Sequence, residues 1–227
     1  MNRDKQTLNI SYKKMNNTLD HILKYPVLPV YYNDDIQTCI EVVNACYAGG
    51  IRVFEFVNRG EQAPENFSRL LAYQREHWPE LLLGIGTIKT AAVATTYIEM
   101  GAQFIVSPVV KPEIAEVTLK QNILWVPGCM TPTEISMAED LGAPLVKLFP
   151  GDTLGAGFLK SIRPLFPTMR FMPTGGVNPT EESISGWFGA GVSAVGLGSK
   201  LFAKPEGAAG FDWLAERSKA LMGWVNG

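Results

Sequence analysis

The stretch PVLPVYYNDDIQTCIEVVNACYAGGIRVFEFV, residues 26–57, decides the fold. It starts with one apolar run, Pro26–Tyr31, and ends with another, Ile51–Val57. Between them, apolar residues recur at helical spacings of three and four: Ile36, Cys39, Ile40, Val43, Cys46 and Tyr47. The glycine pair at 49–50 then closes the helix. A strand, a helix and a second strand in this order predict a βαβ unit that feeds a parallel sheet.

The same alternation continues along the chain. The eight apolar runs are Pro26–Tyr31, Ile51–Val57, Leu81–Ile85, Phe104–Val106, Ile123–Val126, Leu145–Phe149, Arg170–Met172 and Ala194–Leu197. Because each gap has room for a helix and two tight loops, the pattern predicts an α/β fold, a parallel eight-stranded (β/α)8 TIM barrel. An open doubly wound sheet is the alternative, and it too would place ligands at the carboxyl ends of the strands.

The chain has no linker or composition break that would divide it into two domains. We predict one barrel domain over residues 21–227, preceded by a helical or flexible extension over residues 1–20 that is loosely held. Two segments, Thr131–Glu134 and Asn178–Glu181, carry a capping residue, a proline and an acid in the order of a helix start.

Composition and charge indicate which kinds of molecule this protein can bind. The 227 residues include 20 basic and 22 acidic ones, for a net charge of -2, which argues against a general nucleic-acid binder. An anionic ligand must therefore be bound by local groups. No segment approaches the roughly 18 apolar residues of a membrane span, and residues 1–20 lack a signal-peptide pattern. We expect a soluble, cytoplasmic protein with no membrane partner.

The cysteines and histidines suggest neither a metal nor a disulfide. Cys39, Cys46 and Cys129 are an odd number without a C-x-x-C pair, and the first two are expected in a helical core, the third in a loop. The two histidines, His21 and His77, precede predicted strands, whereas catalytic ligands would follow them. No G-x-G-x-x-G follows the first strand. We therefore expect no metal and no bound cofactor.

Lys147 is unusual because the run Leu145–Phe149 places its amine within an apolar strand. With a period of two, Lys147 shares one face with Leu145 and Phe149, so either the barrel interior or the helix layer must receive it. Removing an amine from water favours its neutral, nucleophilic form, which can form an imine with a ketone. The alternatives are a structural ion pair with a carboxylate, or a lysine that reaches solvent at the strand end.

Glu55 and Arg59 belong to the second predicted strand. Alternation places Ile51, Val53, Glu55, Val57 and Arg59 on one face and Phe54 and Phe56 on the other, where helices would cover the rings. Glu55 is then expected inside the barrel, where burial raises a carboxyl pKa and suits proton transfer. Arg59 is expected at the rim, as a fork for a substrate carboxylate. The alternative is that Glu55 and Arg59 neutralise each other structurally.

Two glycine-rich turns follow the last two predicted strands. The first contains Thr174, Gly175 and Gly176, and the second contains Gly198 and Ser199. In barrels, the loops after strands seven and eight commonly bind phosphate through backbone N–H groups. The two turns therefore predict a phosphate site that needs no excess of basic residues.

Motifs in this order resemble the 2-keto-3-deoxy-6-phosphogluconate (KDPG) aldolase family, which includes 4-hydroxy-2-oxoglutarate aldolases. The resemblance covers about residues 25–202. Its motifs are Gly49–Val53 with Glu55 and Arg59, Gly84–Thr87, Gly101–Phe104 with Ser107–Pro108, Pro127–Gly128, Lys147–Pro150 and Pro173–Gly176. Asn58 and Gly60 beside Arg59 depart from the family pattern, as does Gly196–Lys200, which is more similar to phosphogalactonate aldolases.

The resemblance implies a lysine-dependent aldolase that needs no metal and works as a homotrimer. It implies that Lys147 forms a Schiff base with the pyruvyl carbonyl and that Glu55 transfers protons. Arg59, Thr87, Phe149 and Pro108 would bind the pyruvate part, and Thr174, Gly175, Gly176, Gly198 and Ser199 the phosphate.

The expected reaction cleaves KDPG, a phosphorylated 2-keto acid, to pyruvate and glyceraldehyde 3-phosphate. The alternatives are cleavage of 4-hydroxy-2-oxoglutarate or 2-keto-3-deoxy-6-phosphogalactonate by the same lysine, and a sugar-phosphate binding barrel without catalysis.

Overall fold

Eight parallel strands form one sheet in the computed structural model, which describes residues 15–226. The strands are β1 (Val27–Tyr31), β2 (Val53–Val57), β3 (Leu82–Gly86), β4 (Phe104–Ser107), β5 (Leu124–Cys129), β6 (Leu145–Leu148), β7 (Arg170–Pro173) and β8 (Val195–Leu197). Neighbours in the sheet follow chain order from β1 to β7, and β8 pairs with β1. A single bridge, Thr174 to Gly196, joins the β7 and β8 sides. This closure confirms the predicted barrel and excludes the open sheet.

Helices alternate with these strands. Helix α1 covers residues 15–24. The others are α2 (Ile36–Ala48), α3 (Ala63–His77), α4 (Ala91–Met100), α5 (Pro112–Gln121), α6 (Pro132–Asp140), α7 (Gly151–Ile162), α8 (Glu181–Ala190) and α9 (Asp212–Asn226), with a short 3-10 helix at Arg163–Leu165. Every gap between predicted strands therefore contains a helix, as the sequence pattern indicates.

Two apolar clusters reflect the alternation of side chains along the strands. The barrel interior holds Leu28, Val53, Phe104, Val106, Leu124, Val126, Leu145, Met172 and Ala194. The layer between strands and helices includes Phe54, Phe56, Ile85, Ile105, Val146 and Leu148. The predicted faces of β2 and β6 are thus confirmed, except that Ile51 packs in the outer layer because β2 begins only at Val53.

Helix α1 covers the amino end of the barrel. Its Leu19 and Ile22 are buried and belong to the interior cluster. These buried side chains anchor α1 at the amino end of the barrel, so the described part of the predicted extension is not loosely held. The expected boundary at residue 20 falls inside this helix, and residues 1–14 lie outside the described part of the chain. The division into extension and barrel stays a proposal.

Local capping agrees with the sequence at one predicted helix start and differs at the other. Thr131 caps α6 with a complete capping box to Glu134, as predicted. Helix α8, in contrast, is capped by Thr180, whose hydroxyl accepts the Ser183 N–H. The helix therefore begins at Glu181, so the predicted cap at Asn178 is wrong.

The described cysteines are all free and buried. Cys39 and Cys46 lie in the core, as predicted. Cys129 was expected in a loop but is the last residue of β5, where burial raises the pKa of its thiol to about 12. Within residues 15–226, no helix is long and apolar enough to cross a membrane.

Candidate active site

Lys147 points into the barrel interior from β6. Its side chain is only 8% exposed, and its Nζ lies 3.6 Å from Oε1 of Glu55 on β2. This burial excludes the alternative of a lysine that reaches solvent. The observed ion pair, however, agrees with both the structural and the catalytic interpretation, so the surroundings of the pair must distinguish them.

Glu55 is fully buried, and its carboxylate lacks hydrogen bonds within residues 15–226. Neither carboxylate oxygen has a hydrogen-bond partner among the described residues. Burial raises the pKa of the Glu55 carboxyl, and the charge of Lys147 only partly opposes this shift. A buried ion pair adds stability only when further hydrogen bonds satisfy its charges, and this one lacks them. The arrangement suits a carboxyl group that exchanges protons with a ligand better than one that only stabilises the fold.

Gly86 provides the space for the Glu55 carboxylate. The two residues come from adjacent strands, since Val57 pairs with Gly86 in the β2–β3 register. A Cβ atom at Gly86 would overlap the Glu55 side chain. The sequence motif Gly84–Thr87 contained this residue, but only the register shows which side chain needs the space.

Arg59 lies at the mouth of the same cavity, as predicted. It follows the end of β2 and is exposed. No carboxylate lies within ion-pair distance of its guanidinium in the described part of the chain, and the ion pair of Glu55 is with Lys147. The alternative in which Glu55 and Arg59 neutralise each other is therefore wrong, and the guanidinium remains available to an anionic ligand.

Thr87 follows β3 at the cavity wall with an unusual backbone. Its φ of 63° lies in the left-handed region, which β-branched residues rarely adopt. Such strain is concentrated at functional sites, because the surrounding structure must hold the residue in place. The backbone of Thr87 therefore supports its predicted place in the site.

Pro108 and Phe149 line the cavity on the side of Lys147. The Phe149 ring centroid lies 5.2 Å from the Lys147 Nζ, within the range of a cation–π contact. Pro108 can come close because Gly128, the residue paired with Lys147 on β5, has no side chain that would meet the Pro108 backbone.

The two glycine turns meet at the ends of β7 and β8. Thr174, Gly175, Gly198 and Ser199 line the cavity together. The Thr174 hydroxyl is buried without a hydrogen-bond partner among the described residues, as expected of a group that receives one from a ligand. Gly176, also predicted as a phosphate ligand, does not line the cavity; it packs against Asp152, which a Cβ at this position would meet.

The cavity measures about 570 Å³, a size suited to a small metabolite. Ten of the predicted site residues line it: Glu55, Arg59, Thr87, Pro108, Lys147, Phe149, Thr174, Gly175, Gly198 and Ser199. Sequence reasoning did not assign the other lining residues to the site: Val30, Tyr31, Tyr32, Val57 and Phe202. Of these, only Val57 carried a signal, because it shares a strand face with Glu55.

Comparison with known proteins identifies the family. A profile of the family described as KDPG and KHG aldolase matches residues 19–209. The chain belongs to this aldolase family. It is therefore an aldolase, a carbon–carbon lyase. A 2-dehydro-3-deoxy-phosphogluconate aldolase from Treponema pallidum is 33% identical over 154 residues, which are 67% of this chain and 71% of the relative.

Solved structures of related aldolases have the same architecture. The KDPG aldolase of Zymomonas mobilis ZM4 with 3-phosphoglycerate has a TM-score of 0.80 and 26% identity, over 92% of this aldolase and 97% of that chain. A KDPG aldolase from Legionella pneumophila, with pyruvate captured as a covalent carbinolamine intermediate, has a TM-score of 0.78 and 28% identity, over 88% and 96% of the two chains.

The described residues contain no cluster of side chains that could ligate a metal ion. In the described residues, no group of three or more histidine, cysteine, aspartate or glutamate side chains could hold one. His21 and His77 lie outside the cavity lining. The His21 Nε2 is 3.1 Å from the Arg52 carbonyl oxygen, and His77 is in the last turn of α3.

Proposed function

We propose that this aldolase cleaves KDPG to pyruvate and glyceraldehyde 3-phosphate through an imine on Lys147. The observation that carries the proposal is a pair of residues in the lining of a metabolite-sized cavity: the buried Lys147 amine lies next to a Glu55 carboxylate that lacks hydrogen-bond partners among the described residues. Family membership supports the reaction class, and the Legionella relative with its covalent carbinolamine supports the use of a lysine.

In the proposed mechanism, the neutral amine of Lys147 attacks the ketone carbon of KDPG, and loss of water from the carbinolamine gives a protonated imine. A base removes the proton of the C4 hydroxyl, the C3–C4 bond breaks, and its electron pair moves toward the imine nitrogen to form an enamine. Glyceraldehyde 3-phosphate leaves. Protonation of C3 and hydrolysis of the imine then release pyruvate and regenerate the amine. Glu55 accepts and returns the protons, directly or through a water molecule.

The remaining residues bind the two ends of the substrate. Arg59 binds the carboxylate of the pyruvate part, together with Thr87, while Pro108 and Phe149 cover the reacting ketone. At the ends of β7 and β8, Thr174, Gly175, Gly198 and Ser199 bind the phosphate through hydroxyl groups and backbone N–H groups. Within the cavity lining, Arg59 and Lys147 are the two basic residues, so the phosphate site depends on neutral donors. We propose that no metal or other cofactor takes part.

Borohydride reduction in the presence of pyruvate tests the covalent step. The reduced adduct should map to Lys147 by mass spectrometry, and cleavage of KDPG should release pyruvate. Lys147→Arg keeps the positive charge but has no accessible neutral form, so it should form no adduct and lose activity by several orders of magnitude. Lys160→Arg, on the outer helix α7, is the matched control and should behave as wild type. An adduct elsewhere, or none, would contradict the mechanism.

The substrate alternatives are separated by turnover. The same lysine could cleave 4-hydroxy-2-oxoglutarate or the galactonate epimer of KDPG. Because the proposed phosphate site has no basic side chain, it does not require a phosphate, and this observation favours testing the unphosphorylated 4-hydroxy-2-oxoglutarate as a substrate. The highest kcat/KM among the three compounds identifies the substrate. A binding barrel without catalysis would turn over none of them, and membership of an aldolase family argues against it.

We further propose a cytoplasmic homotrimer. Support for the trimer comes from apolar side chains exposed just after two neighbouring strands: Val109 after β4 and Met130 after β5. Neighbouring strands place these loops side by side, and an exposed apolar surface of this kind is typical of a protein interface.

A further inference from the structure

Tyr97 makes a buried hydrogen bond next to the cavity without lining it. The residue belongs to α4 and is 2% exposed. Its ring packs edge-on against Phe67 of α3, with centroids 5.3 Å apart. Its hydroxyl donates to the Asn58 side-chain oxygen at 2.8 Å. Burial raises the pKa of Tyr97 to about 12, so the hydroxyl remains a donor over the physiological range.

Asn58 connects this hydrogen bond to the site. It lies between Val57, the last residue of β2, and Arg59. The Asn58 backbone N–H donates to the Gly86 carbonyl at 3.0 Å, and the Arg59 N–H donates to the Val57 carbonyl at 2.8 Å. The backbone is thereby held to β3 and the Asn58 side chain to α4. These contacts determine the direction in which the chain carries Arg59 away from the strand.

Arg59 needs such support, because its exposed guanidinium has no carboxylate partner in residues 15–226. A long, unpaired side chain loses conformational entropy when it binds a ligand, and a fixed backbone reduces that loss. Asn58 is also one of the residues at which this chain departs from the family pattern. The hydrogen bond from Tyr97 is therefore a feature of the loop after β2 as it occurs in this chain.

We propose that Tyr97 is a positioning residue, which through Asn58 holds Arg59 where it binds the pyruvate carboxylate. The inference rests on the proposed function, since it needs pyruvate in the cavity. A purely structural tyrosine would contribute to folding alone. A positioning tyrosine also affects one end of the substrate more than the other.

Tyr97→Phe separates the two roles, because it removes the hydroxyl and keeps the ring. The measurement is the pyruvate concentration that gives half-maximal borohydride trapping on Lys147. We expect it to rise about 3- to 10-fold, the effect of one lost hydrogen bond. In the aldol direction, KM for glyceraldehyde 3-phosphate and kcat should stay within about twofold of wild type, which is less than the change expected from a lost hydrogen bond. Tyr73→Phe is the matched control, since the Tyr73 ring packs at a tilt against Trp78 and does not line the cavity.

A double-mutant cycle with Asn58→Leu tests the connection. If Tyr97 acts through Asn58, the double variant should bind pyruvate no more weakly than the weaker single variant. Additive losses, or equal losses for both substrates in Tyr97→Phe, would overturn the inference. If the wild type forms no adduct with pyruvate, the proposed function itself fails. If it forms one and Tyr97→Phe traps pyruvate as wild type does, only the role of Tyr97 fails.

Discussion

Glu55 shows how much at the scale of single residues follows from strand alternation. Its inward direction follows from the pattern of β2, because residues two apart share a face. The state of its carboxyl group depends instead on its neighbours, namely Gly86, which makes room for it, and Lys147, which pairs with it at 3.6 Å. At this scale, a sequence gives the direction of a side chain but not its contacts.

The Glu55→Gln variant should be catalytically poor, and its stability relative to wild type should increase as the pH rises. Because burial raises the Glu55 pKa, the native state holds this proton more tightly than the unfolded chain, whose Glu pKa is about 4.3. Wild-type stability therefore falls relative to the variant as the pH rises above that value. We expect kcat to fall roughly a hundredfold to ten-thousandfold, as for a lost general acid–base group.

Urea unfolding of both proteins from about pH 4 to about pH 8 measures the difference in stability. Glu61→Gln, at an exposed carboxylate that does not line the cavity, is the control and should change neither property. A stability difference that does not vary with pH would contradict the assigned shift.

At the scale of elements, the helices illustrate which signals are local. The Thr131–Glu134 capping box can be predicted from the sequence because all its donors and acceptors lie within four residues. At α8 the same reasoning chose Asn178, although Thr180 provides the cap two residues later. A segment that contains two acceptable caps leaves the choice to how the helix packs on the barrel, and local sequence does not encode that.

Thr131→Ala should destabilise the protein by about 1 kcal/mol, because the Glu134 N–H loses the hydroxyl that caps it. Thr133→Ala, within the same first turn and exposed, is the control and should be neutral or slightly stabilising, since alanine has the higher helix propensity. Denaturant midpoints measure both. Equal effects of the two substitutions would show that the capping box adds nothing.

At the scale of the whole molecule, Val109 and Met130, the exposed apolar residues after β4 and β5, predict the assembly. Wild type should have a mass of three times 24.9 kDa by light scattering. Met130→Asp places a charge in the proposed interface and should give monomers, because burying an unpaired charge is costly. Leu165→Asp is the control, since this exposed leucine lies in the 3-10 helix that precedes β7, at the amino end of the barrel. A wild-type monomer, or a Met130→Asp trimer, would contradict the proposal.

The sequence by itself determined the eight strands, the helices between them, the inward direction of Glu55, and the neighbours that share a strand face with Lys147. These features depend on periodicity and on the polarity of neighbouring residues, both of which are local. Only the tertiary structure decided that β8 pairs with β1 and that the Glu55 carboxylate pairs with Lys147 and not with Arg59. It also decided that the Tyr97 hydroxyl donates to Asn58. These contacts join residues far apart in the chain, so they exist only once barrel closure and strand register have fixed which strand ends face each other.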